Sequence, residues 1–250
     1  MSDAIASLGM YPFDHLRSDW DRLWHHIRQA LADAPAQLAW DLDLSDAWQS
    51  PDLLLGATCG WPLLTELPPS VHVVGTFDPD VPFARNGAYR SVIIAAKPLS
   101  VAEWRARPDT VVAINGEDSL SGAISMWHAW GGRPEHTVVT GAHVESMRAV
   151  AGGSAHLASI DAVTYAIVAD ALPAMAANVH VVGHGPAVPS LPLVTASRHA
   201  AQVPALRRAI ESAVREPGLA ATLHALRIRG FVALDRSAYE SLPALLPPAN

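Results

Sequence analysis

Val111-Val-Ala-Ile-Asn-Gly-Glu-Asp-Ser-Leu-Ser-Gly122, continuing through Ala123 to Trp130, is the stretch on which the fold turns. Four β-prone residues, Val111 to Ile114, run into Asn115-Gly116, a strong turn signal. Ser119 and Ser121 then stand where a helix over 121–130 should begin, as capping residues do. The first turn of a helix presents unpaired N–H groups and the positive end of the helix dipole, and both suit an anion. Two hydroxyls, with Gly122 allowing close approach, complete a possible oxyanion cradle. Downstream, Thr140-Gly-Ala-His143 reads as a turn entering a helix over 144–151. Gly152-Gly153 stops that helix, a strand over 156–160 follows, and the strand ends on Asp161. The carboxyl ends of strands are where α/β proteins place their ligand contacts. Asp161 also stands where it could cap the helix that follows.

Working outward, the same alternation holds along the chain. Strands are expected at 4–10, 37–40, 52–58, 71–75 and 89–95, then at 111–114, 137–140, 156–160, 179–183 and 193–196. Helices are expected from Asp14 onward and at 121–130, 144–151, 163–170, 203–215 and 219–227. In the first helix the apolar residues Leu16, Trp20, Leu23, Trp24, Ile27 and Leu31 recur at spacings of three and four, with Asp14 as the expected cap. Ser100 and Glu103 have the spacing of a capping box. Strands alternating with helices imply an α/β protein with mixed, mainly parallel sheets. The proline-studded segments near 97 and 186–192 are the expected crossings between two lobes, 1–95 with 190–250 and 96–189. The tail from Pro243 reads as a loose end.

Composition narrows the function. The chain has 250 residues, half of them hydrophobic and 16% charged, which is the make-up of an ordered globular protein. Its net charge of −7 argues against a nucleic-acid partner. Cys59 is the only cysteine, so no intrachain disulfide can form. No run of about 18 apolar residues is present, so no membrane insertion is expected. With no basic residue before Arg17, the N-terminus does not read as a signal peptide. The chain as written is thus expected to be cytoplasmic, or periplasmic if a leader has been removed. Neither a His-Glu-x-x-His nor a cysteine pair supports a metal site, and no Walker loop, dinucleotide fingerprint or Gly-x-Ser-x-Gly elbow occurs. No cofactor, metal or catalytic residue is expected.

Further contacts are placed by strand ends. Tyr11, followed by Pro12, closes the first strand; Thr58 and Cys59, beside Gly60, close another. Taken together, Ser7-Leu-Gly-Met-Tyr11, Ala57-Thr-Cys-Gly-Trp-Pro62, Tyr89-Arg-Ser91, Asn115 to Gly122, Thr140-Gly-Ala-His143, Ala158-Ser-Ile-Asp161 and Leu191-Pro-Leu-Val-Thr195 resemble the phosphonate-binding-protein-like (PhnD-like) family. The similarity spreads over about 190 residues in matching order. It implies a two-lobe type II periplasmic-binding-protein fold with two crossover strands and a ligand cleft between the lobes. It also implies a role as the substrate-binding component of a phosphate, phosphite or phosphonate ABC transporter. Its Ser-x-Ser-Gly helix start carries over to Ser119, Ser121 and Gly122, its cleft aromatics to Tyr11 and Tyr89, its Gly-x-His turn to His143, and its later acid to Asp161. Where many aminoalkylphosphonate binders carry an acid, this chain has Leu191, which argues against an aminophosphonate ligand.

The expected ligand set is therefore Tyr11, Thr58, Cys59, Tyr89, Asn115, Ser119, Ser121, Gly122, His143 and Asp161. The expected partners are a small anion and an ABC permease, with the chain itself a monomer. Two rivals stand beside this reading. One is a cytosolic ligand sensor; the other is an enzyme on the same fold, in which His143 and Asp161 form an acid–base pair and so must lie within hydrogen-bond reach.

Overall fold

The computed structural model describes residues 4–247. It contains ten β-strands among the described residues: β1 Ile5–Ser7, β2 Leu53–Ala57, β3 His72–Pro79, β4 Ala88–Ala95, β5 Val111–Ile114, β6 His136–Val139, β7 Leu157–Ile160, β8 His180–Pro189, β9 Pro192–Thr195 and β10 Ile228–Val232. They form two five-stranded sheets, ordered β1-β2-β9-β3-β10 and β6-β5-β7-β4-β8. Two units follow. Of the described residues, 4–80, 84–88 and 189–240 belong to unit 1, and 81–83, 89–188 and 241–247 to unit 2.

In unit 1, β2 is buried along its whole length, as its unbroken Leu-Leu-Leu-Gly-Ala run requires. The helix Arg17–Arg28 buries Trp20, Leu23, Trp24 and Ile27, the stripe expected from their spacing. It packs on helix Val203–Ala213, which buries Leu206, Ala209, Ile210 and Ala213. Asp14 does not cap the first helix: it lies in a 3-10 turn without a side-chain cap bond and faces Arg17 at 3.7 Å. Residues 37–40 form no strand; Leu38 is buried, and the Ala39 N–H bonds to the Ala6 carbonyl at 2.8 Å.

The expectation of mainly parallel sheets is corrected for unit 1. Only β1 and β2 pair in parallel there, whereas β9 is antiparallel to both β2 and β3, and β10 is antiparallel to β3. The cause is β9, which comes late in the chain and inserts between two strands laid down much earlier. Unit 2 keeps the parallel character expected of its core, with β5 parallel to β6 and to β7, and β7 antiparallel to β4.

The boundary also moves. Val92 to Ala95 pair with Ile160 to Leu157, so β4 belongs to unit 2's sheet instead of ending the first lobe at residue 95. The chain changes unit at the first residue of β4 and the last residue of β8, not near residue 97. The segment at 97–105 is instead the start of helix Val101–Arg105, closed by the expected capping box: Ser100 Oγ accepts from the Glu103 N–H at 3.2 Å, and Glu103 Oε2 accepts from the Ser100 N–H at 2.8 Å. The tail from Pro243 is not loose over its first residues: Leu242–Leu245 is a 3-10 turn with Leu242 buried. The end of that tail, 248–250, lies outside the described residues. No helix among the described residues is long and apolar enough to cross a membrane.

Candidate functional site

The serine-rich stretch after β5 begins as a π-helical turn, Leu120–Ile124, before settling into α-helix Ser125–Trp130. Its widened ring is closed by Ile124 N–H donating to the Ser119 carbonyl at 3.0 Å, five residues back. Short π segments inside helices are frequent at functional sites, because they re-aim side chains and free backbone groups. Residues 120–123 open this run, so their N–H groups have no helical carbonyl behind them. One is already used: Ser119 Oγ accepts from the Gly122 N–H at 3.1 Å. The Ser119 hydroxyl proton is left to donate elsewhere.

Gly122 is there because nothing larger fits. A Cβ on it would lie 1.8 Å from Asn115 Oδ1 and 3.1 Å from Ser119 Oγ. Asn115, from the turn after β5, thus lies directly against the cradle, and its Oδ1 is buried without a hydrogen-bond partner. A buried, unsatisfied amide oxygen costs about 1–3 kcal/mol and calls for an explanation.

Ser121 is fixed from two sides. Its Oγ shares a hydrogen bond of 2.8 Å with His143 Nε2, and its carbonyl accepts from Ser159 Oγ at 2.7 Å. His143 begins helix His143–Ala151, which follows β6 through the turn at Gly141, where φ is +84°. Burial holds the His143 imidazole below its ordinary pKa, while the Asp161 charge and the Ser159 backbone offset part of that effect. Its Nδ1 is buried and forms no hydrogen bond. Because the folded value lies below the unfolded one, the unfolded chain takes up this proton first as pH falls. Stability from His143 is therefore complete above the ordinary histidine pKa and declines below it. Melting scans from about pH 7.5 to about pH 5 should show a steeper fall for the wild type than for His143→Gln. His184 and His199 shift in the same direction, so the difference between the two curves isolates His143.

Asp161, at the carboxyl end of β7, caps helix Ala162–Ala171. Its Oδ1 accepts from the Thr164 N–H at 2.9 Å, and its Oδ2 accepts from the Tyr89 hydroxyl at 2.7 Å. Tyr89, on β4, is 2% exposed and Asp161 3%. The pairing needed for an acid–base reading of His143 and Asp161 is not a hydrogen bond through Nδ1: Nε2 meets Ser121, and Nδ1 forms no hydrogen bond.

Unit 2 thus brings together Tyr89, Asn115, Ser119, Ser121, Gly122, His143 and Asp161. Tyr11, Thr58 and Cys59 belong to unit 1. There Tyr11 lies past the end of β1, and Thr58, fully buried, lies at the end of the parallel neighbour β2, its N–H donating to the Pro192 carbonyl at 3.0 Å. Cys59 is the half-buried residue ahead of helix Gly60–Thr65.

Two participants lie outside the set expected from the sequence. Ser159 and Ser125, both buried, form a second layer: Ser159 Oγ lies 2.7 Å from the Ser121 carbonyl and 3.1 Å from Ser125 Oγ. One proton cannot serve both, so Ser159 donates to the carbonyl and Ser125 donates to Ser159. Strand periodicity could have found Ser159, since it shares a face of the strand with Asp161 two residues on.

Known proteins share this architecture. The family described as ABC transporter, phosphonate, periplasmic substrate-binding protein matches residues 76–239. The structure of PhnD1 from Prochlorococcus marinus, in complex with methylphosphonate, superposes with a TM-score of 0.76 at 13% identity, covering 97% of this chain and 96% of that one. A binding-protein component of an ABC phosphonate transporter from Pseudomonas aeruginosa gives 0.72 at 15% identity, over 97% and 84% of the two chains. XAC2383 from Xanthomonas citri, bound to ATP, gives 0.65 at 14% identity, over 97% and 94%. No curated protein matches the sequence. The fold is that of the type II periplasmic binding proteins. By the match over residues 76–239, the chain belongs to the phosphonate-binding family of ABC transporter substrate-binding proteins.

Proposed function

We propose that the chain binds a small phosphonate- or phosphate-like oxyanion at the π turn of unit 2 and delivers it, unaltered, to an ABC permease. The observation that carries this reading is the pair of buried hydroxyls, Ser119 at 9% and Ser121 at 7% exposure, flanking the first N–H groups of Leu120–Ile124. Hydroxyls and backbone amides aimed at one place, shielded from water, form the charge-assisted bonds that hold an oxyanion. The methylphosphonate held by the Prochlorococcus relative is the model ligand. Catalysis forms no part of the proposal, in keeping with the solute-binding role of the family. Work in the periplasm after export, and as a monomer, is proposed with it; the family's role as a periplasmic substrate-binding protein supports the first. Tyr11, Thr58 and Cys59, in unit 1, are proposed as further ligand contacts.

Isothermal calorimetry with methylphosphonate, phosphite and phosphate tests the proposal. Saturable one-to-one heat with at least one of them is expected, at a dissociation constant of about 1 μM or tighter, or roughly −8 kcal/mol. Absence of heat with all three, from folded protein freed of carried-over ligand, would sink it.

A further inference from the structure

Two backbone bonds and one distant side chain set the spacing of the turn at Leu120–Ile124. In an α-helix the Ile124 N–H would reach the Leu120 carbonyl, and the Ser125 N–H the Ser121 carbonyl. Here Ile124 bonds Ser119, and Ser125 bonds the Leu120 and Gly122 carbonyls on either side of Ser121. The Ser121 carbonyl, passed over by Ser125, accepts instead from Ser159 Oγ on β7 at 2.7 Å. A side-chain hydroxyl bonded to the backbone in this way competes with the helical ladder.

Ser159 is itself seated from behind. Ser125 Oγ lies 3.1 Å from Ser159 Oγ. The buried Gly185 of β8 closes over Ser125: a Cβ there would lie 2.0 Å from Ser125 Oγ and 3.4 Å from Ser91 Cβ. Arg90 donates to the Gly185 carbonyl at 2.9 Å, which ties β8 to β4 at this point. Ser121, Ser125 and Ser159 are all buried, so bulk water does not compete for these bonds.

The spacing decides where the Ser121 hydroxyl points. Successive residues of an α-helix differ by about 100° around its axis. If the Ser125 N–H took the Ser121 carbonyl, the residues ahead of it would rotate, and Ser121 Oγ would leave His143 Nε2, now 2.8 Å away. We propose that Ser159 is a positioning residue for the ligand. Its bond to the Ser121 carbonyl holds the π spacing in which Ser119, Ser121 and the N–H groups between them serve one oxyanion. Ser125, backed by Gly185, fixes the hydroxyl that makes that bond. This rests on the binding reading above and adds the residues that set the geometry of its site.

The experiment compares the wild type, Ser159→Ala and Ser159→Thr in two measurements. One is calorimetry with methylphosphonate; the other is the imidazole nitrogen NMR signals of His143 in the ligand-free protein. Ser159→Ala should weaken binding by about tenfold, the worth of one hydrogen bond, and should move the His143 signals as Ser121 Oγ departs from Nε2. Ser159→Thr keeps the hydroxyl and should restore the signals, with affinity within about threefold of the wild type. A role in packing alone would change the melting temperature and leave both readings of the folded protein as they are. Should either variant fail to fold, Ser125→Ala decides, since it removes the group behind Ser159 and leaves the Ser159 hydroxyl in place. It should move the same signals less and weaken binding by about threefold. Unchanged His143 signals or unchanged affinity in folded Ser159→Ala would overturn the inference, as would Thr no better than Ala at this position, or a Ser125→Ala variant identical to the wild type. If the wild type binds no oxyanion, the binding reading fails by itself. The His143 signals then decide alone: a change in Ser159→Ala shows that Ser159 holds the turn, and no change overturns that too.

Discussion

Gly122→Ala is expected to remove measurable methylphosphonate binding, a loss beyond about 100-fold, and to lower stability by about 1–3 kcal/mol, the usual cost of forcing a methyl into a packed site. The space for that methyl is already taken by Asn115 Oδ1, 1.8 Å from where the Cβ would be, with Asn115 Cγ at 3.0 Å and Ser119 Oγ at 3.1 Å. The Asn115 amide must swing away inside a buried site, and Ser119 Oγ must move with it. Asn115 is tied to the end of β5, and Ser119 Oγ holds the Gly122 N–H that shapes the turn. The methyl is accommodated by opening the π turn, which scatters the N–H groups at residues 120–123. Calorimetry reads the first effect and thermal denaturation the second. Full affinity in Gly122→Ala would show that the ligand does not depend on this turn.

Ser121→Ala is expected to weaken phosphonate binding by about 10- to 100-fold, the range for one hydrogen bond to a charged group. It should also cost about 1–3 kcal/mol of stability, because His143 Nε2 loses its partner in a ring whose Nδ1 already lacks one. The two effects separate in the double variant Ser121→Ala with His143→Ala. Without the imidazole no nitrogen is left unpaired, so the stability loss from removing the Ser121 hydroxyl should shrink while the loss of affinity persists. Titration with methylphosphonate and chemical denaturation provide the two readings. Unchanged affinity in Ser121→Ala would remove this hydroxyl from the site.

Much of this is legible in the sequence where local rules decide. Val111 to Ile114 is a strand at the residues expected, and the capping box at Ser100 and Glu103 forms as spaced. The Ser-x-Ser-Gly spacing picks out a turn of interest, because capping hydroxyls and a glycine have few other reasons to cluster after a strand. What the sequence does not show is decided by distant residues. Nothing local states that β9 will insert antiparallel between β2 and β3. Nor does it announce β10, whose five residues include Arg229 and Gly230 and follow Arg227 in a left-handed conformation with φ of +57°. Gln37 to Trp40 reads as strand-like but forms no ladder: the Ala39 N–H bonds to the Ala6 carbonyl and the Trp40 N–H to the Leu38 carbonyl.

The site divides in the same way. Ser119, Ser121 and Gly122 are neighbours in sequence and can be picked out from it. The bond from Ser121 to His143 spans 22 residues and that from Tyr89 to Asp161 spans 72, so their partnership is a property of the sheet order β6-β5-β7-β4. Asp161 reads in the sequence both as a helix cap and as a ligand contact. In the fold it caps with one oxygen and accepts from Tyr89 with the other.

The most direct test of the central claim is a crystal structure of the chain with methylphosphonate. The account predicts the phosphonate oxygens within about 3.2 Å of Ser119 Oγ, Ser121 Oγ and at least one N–H of residues 120–123. A bound phosphonate lying elsewhere, with those two hydroxyls still engaged only by Gly122 and His143, would contradict it.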